Sequence, residues 1–131
     1  MSNFDNGVWK TTTSYPYASR ISLVFIVNRE DDFYIFGGYD GSSSNSDKIV
    51  KFSTATENWT QVGSLSQARQ GHGVIRTGGS FLVVGGSYGT FSTEKCHFDQ
   101  ADKMTCVTME PALKDYVQYP ELLLVPADYC V

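Results

Sequence analysis

The segment Phe33-Tyr34-Ile35-Phe36-Gly37-Gly38-Tyr39 returns 48 residues later as Phe81-Leu82-Val83-Val84-Gly85-Gly86-Ser87-Tyr88. The same shift carries Leu65 onto Leu113 and Val74 onto Leu122. Trp59, ten residues before Arg69, is echoed by Trp9, eleven before Arg20. A fixed period of this length means that one supersecondary unit is used again, because a single unit cannot bury its apolar face alone. Each unit reads as four short strands separated by turn signals. In the first unit they are expected over residues 21–27, 32–37, 48–53 and 58–62. In the second they are expected over 72–76, 80–85, 94–99 and 104–109. A further strand over 7–12 precedes them and another over 121–125 follows. Helical spacing is not found at any useful length. Eight Tyr, eight Phe, two Trp and twelve Gly fit this β-rich reading, with bulky side chains filling the space between sheets and Gly supplying turns.

Each unit has a strand ending in Gly-Gly and a Tyr soon after. The first adds a Trp about twenty residues on and an Arg before the next copy. The residues are Gly37, Gly38, Tyr39, Trp59 and Arg69, then Gly85, Gly86 and Tyr88. In these the chain resembles the kelch-repeat β-propeller family over nearly its whole length. The second copy departs from the pattern: Met104 or Thr105 stands where Trp is expected, and about Tyr116 where Arg is expected. The resemblance implies an all-β fold, a partial kelch-type β-propeller of two four-stranded antiparallel blades plus flanking strands. Residues 1–19 would supply the outer strand of a preceding blade and a loop, 20–62 blade one, 63–112 blade two with its linker, and 113–131 the inner strand of an incomplete third blade. The motif residues Gly37, Gly38, Trp59, Arg69, Gly85 and Gly86 then have structural roles. A Gly pair at a strand end tolerates positive φ and close backbone approach. Trp59 is expected to fill the wedge between neighbouring blades, and a buried Arg69 to donate several hydrogen bonds to loop carbonyls.

Propellers usually close at four to eight blades, whereas this length holds about 2.7 periods. Three arrangements stay open: a fragment of a longer propeller, a degenerate two-blade protein, and a partner-dependent subunit. An isolated pair of blades would expose a face of each terminal sheet, so either self-association or further blades from a longer chain is expected.

The formal charge of −4 and the absence of a basic run argue against nucleic-acid binding. No apolar run reaches the roughly 18 residues of a membrane span; residues 23–27 and 122–125 are strand-sized. Residues 1–7 are polar and lack the features of a secretory signal, so the chain is either made in the cytosol or a mature or internal segment. The cysteines favour the second. A hairpin centred on Ala101 would set Phe98 opposite Met104, Cys96 opposite Cys106 and Asp99 opposite Lys103. That one register gives an apolar pair, a sulfur pair and an opposite-charge pair. A Cys96–Cys106 disulfide is then within reach, with two buried thiols as the alternative. Cys130 is left over. No metal site is expected, since Cys-x-x-Cys spacing is absent and His97 falls on the strand face opposite Cys96. Asn58-Trp59-Thr60 matches the N-glycosylation acceptor pattern. Residues 119–130 resemble the Cys-containing kelch segments of secreted animal proteins. An extracellular location is expected, with a cytoplasmic one as the alternative.

No catalytic constellation emerges, and no cofactor is implied. His72 stands at the start of a strand, where a hydrogen bond to a loop is the expected role. His97 reads as a surface or interblade residue. Glu30, Asp31 and Asp32 fall at a tight turn and read as solvated, with weak cation binding as the alternative. The Gly-rich stretch at Gly37 lacks the Lys-Ser/Thr and helix of a phosphate loop, and residues 42–47 read as a flexible loop. The resemblance implies a partner-gripping face made of such loops, which here would include Tyr15, Tyr39, Asp40, Ser43 and Tyr88. Packing is an equal alternative for Tyr39 and Tyr88. The reading is a non-enzymatic binding module for a protein or carbohydrate. The alternative is a structural component of a secreted matrix that assembles through blade faces. A third option, an enzyme of the galactose-oxidase kind, would need a Tyr-Cys cross-link and His ligands that two histidines do not readily supply.

Overall fold

The structure, a computed structural model, describes residues 2–5, 8–11, 14–16, 25–29, 31–39, 44–86, 90–115 and 117–123. Its strands are β1 (Ser2–Asp5), β2 (Val8–Thr11), β3 (Phe25–Arg29), β4 (Asp32–Phe36), β5 (Lys48–Ser53), β6 (Asn58–Ser64), β7 (Gly73–Thr77), β8 (Ser80–Val84), β9 (Thr93–Phe98) and β10 (Met104–Met109). The described residues hold no helix. β3 to β6 form one antiparallel meander and β7 to β10 a second, so the fold is all-β, a partial kelch-type propeller with two blades. The blades meet at both margins: β3 lies alongside β7, and β6 pairs in parallel with β10 through Gly63–Met104 and Ser64–Thr105.

Between them lies one core, and strand alternation explains its membership. Tyr34, Phe36, Ile49 and Val62 of blade one meet Val74, Phe81, Val83, Cys96 and Met104 of blade two, with Leu65 from the linker. Ring centroids of Phe36 and Phe81 lie 5.3 Å apart, and those of Tyr34 and Phe98 5.5 Å. Full burial of a side chain of this size contributes roughly 1.5–3 kcal/mol, so this seam joins the two blades into one packed body. The margin at β6 and β10 depends on Gly63. A Cβ there would run into the Met104 carbonyl.

Several expectations need correction. Rather than one strand over 7–12, the N-terminal stretch forms a two-stranded sheet in which Asp5 pairs with Val8. Asn6-Gly7, the dipeptide between them, is a strong hairpin signal in the sequence. The first strand of blade one runs to Arg29, and residues 21–24 lie outside the described residues. β6 continues past Val62 to Ser64, because a bulge opposite Ile49 and Val50 lets pairing resume at Gly63. Glu121, Leu122 and Leu123 are not in a strand, and residues 124–125 lie outside the description. Trp59 lies on the side of blade one away from blade two, toward the stretch of residues 1–19. It shares a face with Phe33 and Phe52, the face turned away from blade two, and packs on Phe52 at 4.7 Å and Tyr15 at 5.1 Å.

A Gly63→Ala substitution is expected to cost about 1–3 kcal/mol, as overpacking does. Gly79→Ala, where a Cβ meets nothing within 4 Å, is expected to be neutral or slightly stabilising. Thermal or urea unfolding of the two variants checks the contrast.

Candidate functional site

The chain passes from blade one to blade two through residues 65–72, and the repeat motif converges on this linker. Its backbone is tied to blade one. The Gly38 N–H donates to the Arg69 carbonyl at 2.8 Å, the Arg69 N–H to Ser46 at 3.1 Å, and the Leu65 N–H to Asp47 at 2.7 Å. Gly37 and Gly38 have φ of 58° and 107°, and a Cβ on Gly37 would stand 2.6 Å from the Arg69 carbonyl oxygen. The Gly pair is thus what lets the linker lie against the end of β4. Residues 44–47, read from sequence as part of a flexible loop, include the acceptors Ser46 and Asp47 of these bonds.

The Arg69 side chain points the other way, into blade two, and is fully buried. Nη1 donates to the carbonyls of Gly85 (2.9 Å) and Ser92 (3.0 Å). Nη2 donates to Ser92 Oγ (2.8 Å) and Glu94 Oε1 (2.5 Å), and Nε to the Gln67 carbonyl (3.4 Å). All five guanidinium N–H donors therefore meet acceptors. Glu94 is equally buried, and its carboxylate also accepts the backbone N–H groups of Ser66 (2.6 Å) and Gln67 (3.2 Å). Burial lowers the Arg69 guanidinium from its ordinary value, and the charge and hydrogen bond of Glu94 oppose that shift. Sequence reasoning missed Glu94, although the alternation Glu94, Cys96, Phe98 places a carboxylate on an otherwise apolar strand face.

His72 closes the linker. It is buried, and both ring nitrogens lack a hydrogen-bond partner of good geometry, contrary to the loop bond expected for it. Burial first and the nearby Arg69 charge second push it down to about 4, against a weaker opposing pull from the Phe36 backbone. His97 is exposed. Asp31 is exposed at its turn, and Asp32 pairs with Lys51 at 3.2 Å; Glu30 lies outside the described residues. Among the described residues, no three His, Cys, Asp or Glu side chains gather closely enough to hold a metal ion.

Blade two repeats the backbone arrangement without the arginine. Gly85 and Gly86 have φ of 67° and 132°, and the Gly86 N–H donates to the Val117 carbonyl at 2.8 Å. Val117, next to Tyr116 as the repeat predicts, therefore occupies the place of Arg69, one period on. The place of Trp59 differs from expectation. Phe33 pairs with Phe52, which pairs with Trp59; one period on, Phe81 pairs with Cys96, which pairs with Cys106. Cys106, not Met104 or Thr105, thus replaces the tryptophan. The loop between the second and third strands is shorter in blade two and the following turn longer, which hides the match in the sequence. Cys96 and Cys106 are joined in a disulfide, in the register that the hairpin pattern gives. Asp99 adds to that turn by accepting the N–H groups of Ala101 (2.8 Å) and Lys103 (2.9 Å).

Tyr39 is half-buried at the loop end of blade one, where it bridges to Asn45. Tyr15 is placed elsewhere, on Trp59 near the opposite end of the blade. Asn58 is exposed at the start of β6. Asp40, Ser43, Tyr88 and Cys130 lie outside the described residues. Tyr119, which sequence reasoning did not single out, is 59% exposed at the loop end, and its N–H donates to the Gly71 carbonyl at 2.7 Å.

Four-stranded meanders at a 48-residue period, each closed by a Gly pair against the next linker, define a kelch blade. Residues 27–66, most of blade one, match the family model of the Kelch motif. It is 26% identical over 105 residues to the human (Homo sapiens) protein named Kelch-like protein 25, a match that covers 79% of this chain and 15% of that protein. Kelch repeats are in general protein-interaction elements.

Removing one partner of the buried pair, as in Glu94→Ala or Arg69→Ala, is expected to destabilise by about 3–5 kcal/mol. The double variant Arg69→Met/Glu94→Leu is expected to recover a large part of that loss in denaturant titrations. His72 sets a separate pH dependence. Its folded value lies below its unfolded one, so its neutral form supports the fold fully above pH 6.5. That support, about 3 kcal/mol in all, is lost as pH falls from 6.5 to about 4. Unfolding midpoints across this window should fall for the native chain and stay flatter for His72→Leu.

Proposed function

We propose that this chain is a non-enzymatic binding module that works outside the cell and grips a protein or carbohydrate with the loop end of its blades. Tyr119 carries this reading. It stands one period after Gly71 and shares its left-handed backbone, with φ of 51° against 61° for the glycine. A non-glycine residue there costs roughly 1–2 kcal/mol. The chain bears this cost to hold a large aromatic ring in solvent at the end where Tyr39 also lies. Tyrosine gives wide contact area for little lost side-chain entropy, which suits recognition of proteins and sugars alike. The compartment rests on the Cys96–Cys106 disulfide, since such bonds persist outside the reducing cytosol.

A second reading, assembly through blade faces, is favoured by one observation. Leu82 and Val84 stand one period after the buried Tyr34 and Phe36, but are only half-covered. Val107 and Met109, on the same sheet face, are 56% and 39% exposed.

Tyr119→Gly is expected to fold at least as stably as the native chain while losing retention of ligands on glycan arrays and of extracellular protein partners by a factor of ten or more. Undiminished retention would sink the loop-end reading. Light scattering over a concentration series addresses the second reading: growth into oligomers that Val107→Lys suppresses would favour it.

A further inference from the structure

The chain has five asparagines, and Asn58 alone is followed two places on by Ser or Thr. We propose that Asn58 carries an N-linked oligosaccharide, an inference that rests on the extracellular reading above. In the transfer, the Asn58 side-chain nitrogen forms a bond to the anomeric carbon of a lipid-linked diphospho-oligosaccharide. The anomeric C–O bond breaks, the lipid diphosphate leaves with its electron pair, and the amide gives up one proton.

The fold accommodates the product. Asn58 and Thr60, two apart on β6, share one strand face and are both exposed, whereas Trp59 between them turns to the other face and packs on Phe52 and Tyr15. The acceptor amide and the hydroxyl that the pattern requires therefore stand together in solvent. Among the described residues, no strand pairs with the outer edge of β6 at this point, since its pairing with β10 is confined to Gly63 and Ser64. Asn58 follows the exposed turn of residues 54–57, at the end of the blade opposite Gly37, Gly38 and Tyr39. A sugar chain there leaves the loop end clear. It also shields a strand edge that would otherwise be a template for pairing with another chain.

The test uses the full chain, led into the secretory route of cultured animal cells by a cleavable signal. Intact mass is measured before and after peptide-N-glycosidase, with Cys96–Cys106 mapped by non-reducing peptide analysis. The expected result is secreted protein heavier by one oligosaccharide, which the enzyme removes. The increment should be absent from both Asn58→Gln and Thr60→Ala and kept by Thr60→Ser. Secreted, disulfide-bonded chain with the bare polypeptide mass would overturn the site while leaving the compartment reading intact. Chain that is retained in the cell with Cys96 and Cys106 reduced would overturn the compartment reading and the site with it.

Discussion

The ion pair between Arg69 and Glu94 is where the two blades become one structure. Two four-stranded sheets stacked through an apolar seam have no inherent reason to choose one rotation or translation over another, since hydrophobic contact is not directional. The linker supplies the direction. Its backbone bonds to Gly38, Ser46 and Asp47 of blade one, while its one guanidinium distributes five hydrogen bonds over the linker, Gly85, Ser92 and Glu94. Charges taken out of water this completely are tolerable only when every donor and acceptor is satisfied. That demand fixes the distance between the blades and the orientation of the linker. Packing of Phe36 on Phe81 and the close approach at Gly63 follow from that placement.

Blade two solves the problem of its outer strands differently from blade one. Where blade one stacks Phe52, Trp59 and Tyr15, blade two joins Cys96 to Cys106. Blade one's aromatic group lies on the face turned away from blade two, where bulky rings have room. The matching face of blade two is pressed against blade one, and Cys96 is part of the shared core. A pair of cysteines gives a cross-strand link in far less volume than a Phe-Trp pair. The substitution therefore keeps the outer hairpin closed without forcing the seam apart.

The blades have two unlike ends. At one, the Gly pairs, the linker and the tyrosines Tyr39 and Tyr119 form a surface of tied-down loops. At the other, tight turns end in exposed polar residues such as Asn58 and Asp31. The proposed recognition surface is the first, where Gly38, Ser46 and Asp47 anchor the linker and Tyr39 and Tyr119 lie. The proposed modification at Asn58 lies at the second, beside the exposed turn of residues 54–57.

Much of this was legible in the sequence. The 48-residue period, the strand positions around Gly37 and Gly85, and the register of the Cys96–Cys106 hairpin all follow from spacing, because side-chain alternation and turn chemistry are local properties. The burial of Arg69 could be anticipated from the repeat. Its partner could not, because Glu94 occupies a place that is apolar Val50 in blade one and becomes an acceptor only when the linker folds over it. The place of Trp59 was hidden for a related reason: unequal loops shift the numbering, and only cross-strand pairing shows that Cys106 stands there. Local periodicity thus determined that the chain makes blades, and where. Which charge meets which, which face turns inward, and which tyrosine stands in solvent were decided when two sheets packed, since burial and ion pairing depend on residues far apart in the chain.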